Sequence, residues 1–174
     1  TSSDTIAAGD EVNYQTVTGT GGVLSIFIVA TTFNASGTTM SKFVSGWGVS
    51  FTTDSVSRFV PPLGGISSAL GALGSTQYQI RAAGTLKNLF VNISANARLN
   101  TTTVQSRVEL ADGNLIVSIA TLATGFFEDT SGSDTIAVGN SIDYEVTTGV
   151  GAGQALACEC IASEFITTDG KSIS

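Results

Sequence analysis

The chain has 174 residues, with 14 acidic side chains against 7 lysines and arginines and a formal net charge of -7. Histidine is absent, which excludes a Ser-His-Asp triad, a Cys-His pair and histidine-ligated zinc or haem. The acidic balance without basic runs argues against nucleic-acid binding, and a hydrophobic fraction of 42% argues against a disordered chain. No residue pattern predicts a reaction or a cofactor, so we expect a protein that is not an enzyme.

The first predicted element is a hairpin with strands at 11–17 and 23–33. Its second strand is apolar on both faces, but its longest apolar run has eight residues, from Val23 to Ala30, far below the ~20 that span a membrane as a helix. A two-stranded hairpin is marginal alone and its edges invite pairing. We therefore expect it to pack with residues 35–75 or to complete a sheet of a neighbouring copy. The predicted assembly residues are Val23, Leu24, Ile26, Phe27, Ile28, Val29 and Phe33.

The rest of the chain is predicted to form short antiparallel strands. Apolar and polar residues alternate between clusters of Gly, Asn, Asp and Ser, as in Leu89, Val91 and Ile93. Asp112-Gly113-Asn114 predicts a tight hairpin turn. The fold class is therefore all-β, an antiparallel β-sandwich of jelly-roll type, with at most one short helix near 65–74 where apolar spacing becomes helical.

An internal repeat organises the chain. Residues 1–20 and 131–150 are identical at nine of twenty positions, including Asp4 with Asp134 and Tyr14 with Tyr144, and the match continues to Phe33 and Phe165. It predicts one full unit over 34–166. Residues 1–33 are then the C-terminal hairpin of a preceding unit, and 167–174 are a tail or the start of a following unit. The chain is either a separate subunit or a window of a longer tandem-repeat protein.

Three segments carry a family resemblance: 83–92, 125–130 and 137–144, a strand, a second strand and a Gly-Asn turn leading into a third. They resemble C1q/TNF-like jelly-roll modules, which occur in prokaryotic surface and phage fibre proteins. The resemblance covers 76–166 and, as a separate piece, 1–33. It implies a jelly roll and a role in oligomeric extracellular assemblies.

Cys158 and Cys160 are expected on one face of a strand. They align with Ile26 and Ile28 in the repeat, so the simplest interpretation is two buried thiols in the core. A bond to another chain and a metal site stay open as alternatives, although two cysteines are too few for a structural zinc.

An acidic cluster and an aromatic cluster are candidate sites. The group Glu128, Asp129 and Asp134, with Asp112, faintly resembles a calcium loop, but a turn with Asx-type hydrogen bonds fits better and a glycosidase pair is the weakest interpretation. The aromatic residues between 43 and 59 are expected in the core rather than in a sugar-binding platform. They are Phe43, Trp47, Phe51 and Phe59.

Asn-x-Ser/Thr sequons at Asn34, Asn92 and Asn100 are possible glycosylation sites. Asn34 and Asn100 are favoured because they fall in predicted loops.

Together these features predict a structural subunit of an extracellular or virion-associated filament that assembles with copies of itself by head-to-tail β-strand complementation. The alternative is a fibre-tip or adhesin module that recognises surface glycans or a receptor through its loops. The expected location is extracellular, on a cell surface or a virion. No nucleic acid, membrane span, metal or cofactor is predicted.

Overall fold

The computed structural model describes residues 41–53, 56–63, 76–150 and 154–169, together with Thr5. The predicted N-terminal hairpin and the predicted helix near 65–74 lie outside the described residues. The described part is all-β and contains no helix. Its strands are β1 (Ser41–Phe51), β2 (Ser57–Val60), β3 (Tyr78–Gln79), β4 (Gly84–Asn96), β5 (Thr102–Val108), β6 (Ala111–Ile119), β7 (Gly125–Ile136), β8 (Ser141–Thr147) and β9 (Leu156–Thr167).

The strand pairing is nested around the turn between β5 and β6. β5 pairs with β6, β4 with β7, β2 with β8 and β1 with β9, all antiparallel. The nested hairpin folds over into two sheets, with the orders β1-β9-β4-β7 and β2-β8-β5-β6, and β3 also pairs with β8. Two packed antiparallel sheets with this order form a jelly roll, so the predicted fold class is confirmed.

The core lies between the two sheets and follows the predicted alternation. In β4, for example, Leu89, Val91 and Ile93 are buried, whereas Asn92 and Ser94 between and beyond them face outward. The other strands contribute in the same way, so each sheet has one apolar face. The remaining buried apolar residues are Phe43, Phe51, Val60, Ile80, Leu86, Val104, Leu115, Val117, Ile119, Ile136, Ile142, Tyr144, Val146, Leu156, Cys158, Ile161 and Phe165.

The turn between β5 and β6 is not where the sequence predicts it. Glu109 and Leu110 form it, with φ of 52° and 70°, and the predicted turn at Asp112-Gly113-Asn114 is wrong because these residues belong to β6. Gly113 serves another purpose: a Cβ there would lie 2.5 Å from Oδ2 of Asp134. Glycine leaves room here for Oγ of Ser106, 2.2 Å from that Cβ position, as well as for Asp134, and it is not part of a turn.

The Gly-Asn turn between β7 and β8 lies where expected. Gly139 has a φ of 90°, and Asn140 closes the turn by accepting a hydrogen bond at Oδ1 from the Ala137 N–H at 2.7 Å. This conformation favours glycine and asparagine, the residues found there.

Candidate assembly interface

All seven predicted assembly residues, Val23, Leu24, Ile26, Phe27, Ile28, Val29 and Phe33, lie outside the described residues, as does Asn34. The structure instead describes their counterpart in the second copy of the repeat. That counterpart is β9, which aligns with residues 24–33 and continues to Thr167.

β9 is an interior strand with a neighbour on each side. Ser41 to Phe51 of β1 pair with it from Phe165 back to Leu156, and β4 pairs along its other edge. A strand of this sequence therefore satisfies its main-chain groups on both edges and buries one face in the core. A second copy of the sequence needs comparable partners.

A bulge in β9 corrects the expectation for the cysteines. Asn92 and Ile93 are adjacent in β4, but they pair with Cys160 and Cys158, so Glu159 is an extra residue at this point. Cys158 is buried in the core, whereas Cys160 is half-buried. The prediction that both side chains share one buried face is wrong, because the extra residue reverses the alternation between them.

Both thiols are free. Burial raises the pKa of Cys158 to about 12, and burial also raises the pKa of Cys160. The thiolate needed for metal binding or exchange is therefore disfavoured at both residues. Among the described residues no group of three or more Cys, Asp or Glu side chains could hold a metal ion.

At one side of the sandwich, Asp129 of β7 bridges to β6. Its Oδ2 accepts a hydrogen bond from the Ile116 N–H at 2.9 Å, and its Oδ1 accepts bonds from the N–H groups of Ser131 and Gly132, each at 2.9 Å. Burial opposes ionisation, but these bonds outweigh it and lower the pKa of Asp129 to about 2. The predicted Asx-type hydrogen bonds are confirmed, although they form in a bulge within β7 rather than in a turn.

Asp134, a second carboxylate of β7, makes the next contact between β7 and β6. It is 4% exposed, and its Oδ1 accepts a hydrogen bond from the Asn114 N–H at 2.6 Å. Its Oδ2 accepts one from Oγ of Ser106 in β5 at 2.5 Å. Among the described strands β6 is at the edge of its sheet, so the two carboxylates occupy N–H groups that an added strand would use. We call this contact between β6 and β7 the carboxylate seam. Glu128 is exposed and takes no part in it.

Several identities of the internal repeat fall on links between the sheets. Asp134 and Tyr144 correspond to Asp4 and Tyr14. The hydroxyl of Tyr144 in β8 hydrogen-bonds with that of Ser163 in β9, inside the core. The repeat thus preserves residues that hold the two layers together, and Asp134 needs partners from β5 and β6 to do so.

The opposite side of the sandwich is formed by β1 and by β2 with β3. Within the part of the chain that the structure describes, β1 pairs along one edge only, with β9. It is 11 residues long, and Val44 on its outward side is 47% exposed. A long edge strand of this kind offers main-chain groups to a further strand.

Charged residues cluster on the outer face of β5 and β8. This cluster was not predicted, because its only sequence feature is the alternation of polar and apolar residues. Arg107 donates a hydrogen bond to Glu145 at 2.8 Å, pairs with exposed Asp112, and lies 6.0 Å from the ring centre of Phe59. Asp143 is 1% exposed and accepts a bond from Thr76 Oγ1 at 3.1 Å. Its Oδ1 has no hydrogen-bond partner among the described residues, and burial raises its pKa despite the nearby guanidinium.

The aromatic residues divide between two surroundings. Phe43 and Phe51 are buried in the core, as expected. Phe59 is half-buried on the outer face instead, beside Arg107. Trp47 lies in β1, but its side chain is outside the described part, so the sugar-platform alternative is untested.

The two described sequons have different surroundings. Asn92 lies within β4 and is half-buried, whereas Asn100 is exposed in the loop before β5. Nδ2 of Asn100 donates a hydrogen bond to the Val150 carbonyl.

Comparisons with known proteins found no match to any protein-family model and none to a curated protein. No described helix is long and apolar enough to cross a membrane.

Proposed function

We propose that the protein is a structural subunit of an extracellular or virion-associated filament, in which jelly-roll units are joined in series by β-strand complementation. One observation carries the proposal. The chain contains the sequence of the end of β7, of β8 and of most of β9 twice, and a single jelly roll has one place for these strands.

In the described unit that place is taken. Asp134 uses Ser106 and Asn114 as partners, and Ile136 is 1% exposed in the same core. The matching residues Asp4 and Ile6 require equivalent partners, and β5 and β6 of this unit already serve their own β7. The repeated strands therefore need a different partner, which we assign to a neighbouring copy of the chain.

The two sides of the sandwich differ in what they offer to another strand. The carboxylate seam occupies the N–H groups of Asn114 and Ile116 on β6. Among the described strands β1 pairs only with β9, so we assign strand addition to its other side. Strand 23–33 then pairs with β1 of a neighbouring copy as β9 does on the other side.

The donated strand has an apolar residue at a position where its counterpart, β9, has a charged one. The counterpart of Phe27 is Glu159, which is exposed and hydrogen-bonds with Ser94. Covering Phe27 and Val29 contributes roughly 1.5–3 kcal/mol each. Main-chain pairing provides strength and these side chains set the register. A contact repeated head to tail without closing produces a filament.

The experiment substitutes Phe27→Glu in the full chain, which places the residue of the sister strand at that position. The matched control, Ile26→Cys, also installs the sister residue, that of Cys158, but keeps the position apolar. Sedimentation velocity, electron microscopy and circular dichroism are measured for both variants and the unchanged chain.

We expect the unchanged chain and the control to form filaments, and Phe27→Glu to remain small with the same β spectrum. Filaments of Phe27→Glu equal to those of the unchanged chain contradict strand donation. A small closed oligomer of the unchanged chain supports the adhesin alternative instead.

A further inference from the structure

The outer face of the sheet that contains β4 and β7 carries an exposed aromatic pair. The rings of Phe90 and Phe126 are stacked, with centroids 5.5 Å apart and planes 29° apart. Phe126 is 73% exposed, the largest exposed fraction among the apolar side chains of the described residues. A contiguous exposed apolar surface is a candidate binding surface.

Asn92 lies beside both rings. It is two residues from Phe90 on the same face of β4, and it is the direct cross-strand partner of Phe126 in β7. Side chains in directly opposed positions have Cβ atoms about 4.5–5.5 Å apart. Asn92 is also the first residue of the sequon Asn92-Ile93-Ser94, and Ser94 is exposed.

We propose that Asn92 carries an N-linked oligosaccharide whose first sugar packs over Phe90 and Phe126. Nδ2 of Asn92 forms the bond to C1 of the sugar and loses one proton. The bond from C1 to the phosphate oxygen of a lipid-linked oligosaccharide donor breaks. The apolar C–H face of a sugar ring then covers the aromatic faces that are otherwise exposed.

Asn92 is better placed than the other described sequon. It is half-buried on the outer face of β4, directly opposite the exposed Phe126. In Asn100, Nδ2 is bonded to the Val150 carbonyl, and none of the ring pairs among the described residues includes that loop. The sequence favoured Asn100, in the loop, over Asn92, in the strand. This proposal favours Asn92 instead.

A glycan at this position is compatible with strand addition at β1. β9 lies between β4 and β1, so the two strands are separated by roughly 10 Å. The inference rests on the extracellular location in the proposed function but not on the filament, since it concerns a different surface.

Tryptic peptides separate the two sequons, because cleavage after Lys87, Arg98 and Arg107 gives peptides 88–98 and 99–107. Mass spectrometry of protein from its natural source, with enzymatic glycan release in ¹⁸O water, locates the modified asparagine. We expect hexosamine-containing mass and ¹⁸O-labelled aspartate at position 92. An unmodified 88–98 peptide overturns the proposal.

A second measurement tests the packing of the sugar on the rings. The full chain and its Phe126→Ser variant are secreted from a glycosylating cell line, and melting temperatures are compared before and after glycan removal. We expect removal to lower the melting temperature by about 2–4 °C in the unchanged chain and by less than 1 °C in the variant. Equal decreases overturn the packing, and Asn92→Gln controls for other glycans.

Discussion

Tyr144 of β8 and Ser163 of β9 hydrogen-bond through their hydroxyl groups across the core of the sandwich. Tyr144 is 0% exposed and Ser163 is 2% exposed, so water cannot replace either partner. Burial raises the pKa of Tyr144 well above its usual value, which keeps the hydroxyl protonated and available as a donor. This bond joins the two sheets. Its two residues come from strands that follow each other in the repeat but belong to different sheets.

A double-mutant cycle on this pair tests the link. Tyr144→Phe leaves the Ser163 hydroxyl buried without its partner, and we expect a loss of about 1–3 kcal/mol in the free energy of unfolding. Adding Ser163→Ala removes the stranded hydroxyl, so the double variant should be more stable than Tyr144→Phe alone. Urea unfolding measures all four proteins, and strictly additive losses would contradict the link.

The carboxylate seam is tested by Asp134→Asn. The amide presents N–H groups where Asn114 and Ser106 already donate, so we expect a loss of about 1–3 kcal/mol in the free energy of unfolding. Glu128→Gln, on the exposed face of the same strand, is the matched control and should change it by less than about 0.5 kcal/mol. Equal effects of the two substitutions in urea unfolding would contradict a stabilising role of the carboxylate seam.

Asp129 predicts a specific acid dependence. Its pKa in the folded protein is about 2, below the unfolded value of 3.8. The stability it contributes is therefore present above pH 4 and is lost as the pH falls from about 4 to about 2. We expect the free energy of unfolding of the unchanged chain to exceed that of Asp129→Asn by about 1 kcal/mol at pH 6, allowing for solvent screening. At pH 2 the difference should be smaller. A difference that stays constant over this range would contradict the assignment.

Asp143 predicts the opposite dependence. Burial raises its folded pKa above 3.8, so its ionised form destabilises the native state. That cost is present above the folded pKa and disappears as the pH falls below the unfolded pKa. Asp143→Asn should be more stable than the unchanged chain at pH 7, with an advantage that shrinks on acidification. Exposed Asp112→Asn, which alters the same Arg107 cluster, is the control in thermal unfolding.

The two cysteines should be unreactive in the folded protein. With a pKa of about 12 at Cys158, we expect its alkylation by iodoacetamide at pH 8 to be at least about a hundredfold slower than in urea. Cys160 is half-buried and should react faster than Cys158 but slower than in the unfolded chain. Rapid labelling of Cys158, or an interchain disulfide in freshly purified protein, would contradict this assignment.

The strands and the core could be predicted because alternation is a local signal. Leu115, Val117 and Ile119 are buried as the pattern indicates. The bulge at Glu159 could not be predicted, because it depends on how β9 matches β4, and a one-residue shift reverses every face that follows. The turn predicted at Gly113 was wrong for a similar reason. The small size of this glycine makes room for Asp134, which comes from a distant strand.

The carboxylate seam had only an indirect signal. Asp134 is identical in both copies of the repeat, yet that identity does not reveal which N–H groups it binds. The contact of β6 with β7 joins the edges of two sheets through side chains, and no local pattern encodes it. The resemblance to C1q/TNF-like modules predicted the jelly roll and stays a prediction for everything beyond the fold.

Cryo-electron microscopy of the full-length protein as it assembles tests the central proposal most directly. We predict a filament in which residues 23–33 of one copy lie antiparallel beside β1 of the next copy, on the side away from β9. A monodisperse single molecule, with residues 23–33 paired to β1 of the same chain and no second copy in contact, would contradict it.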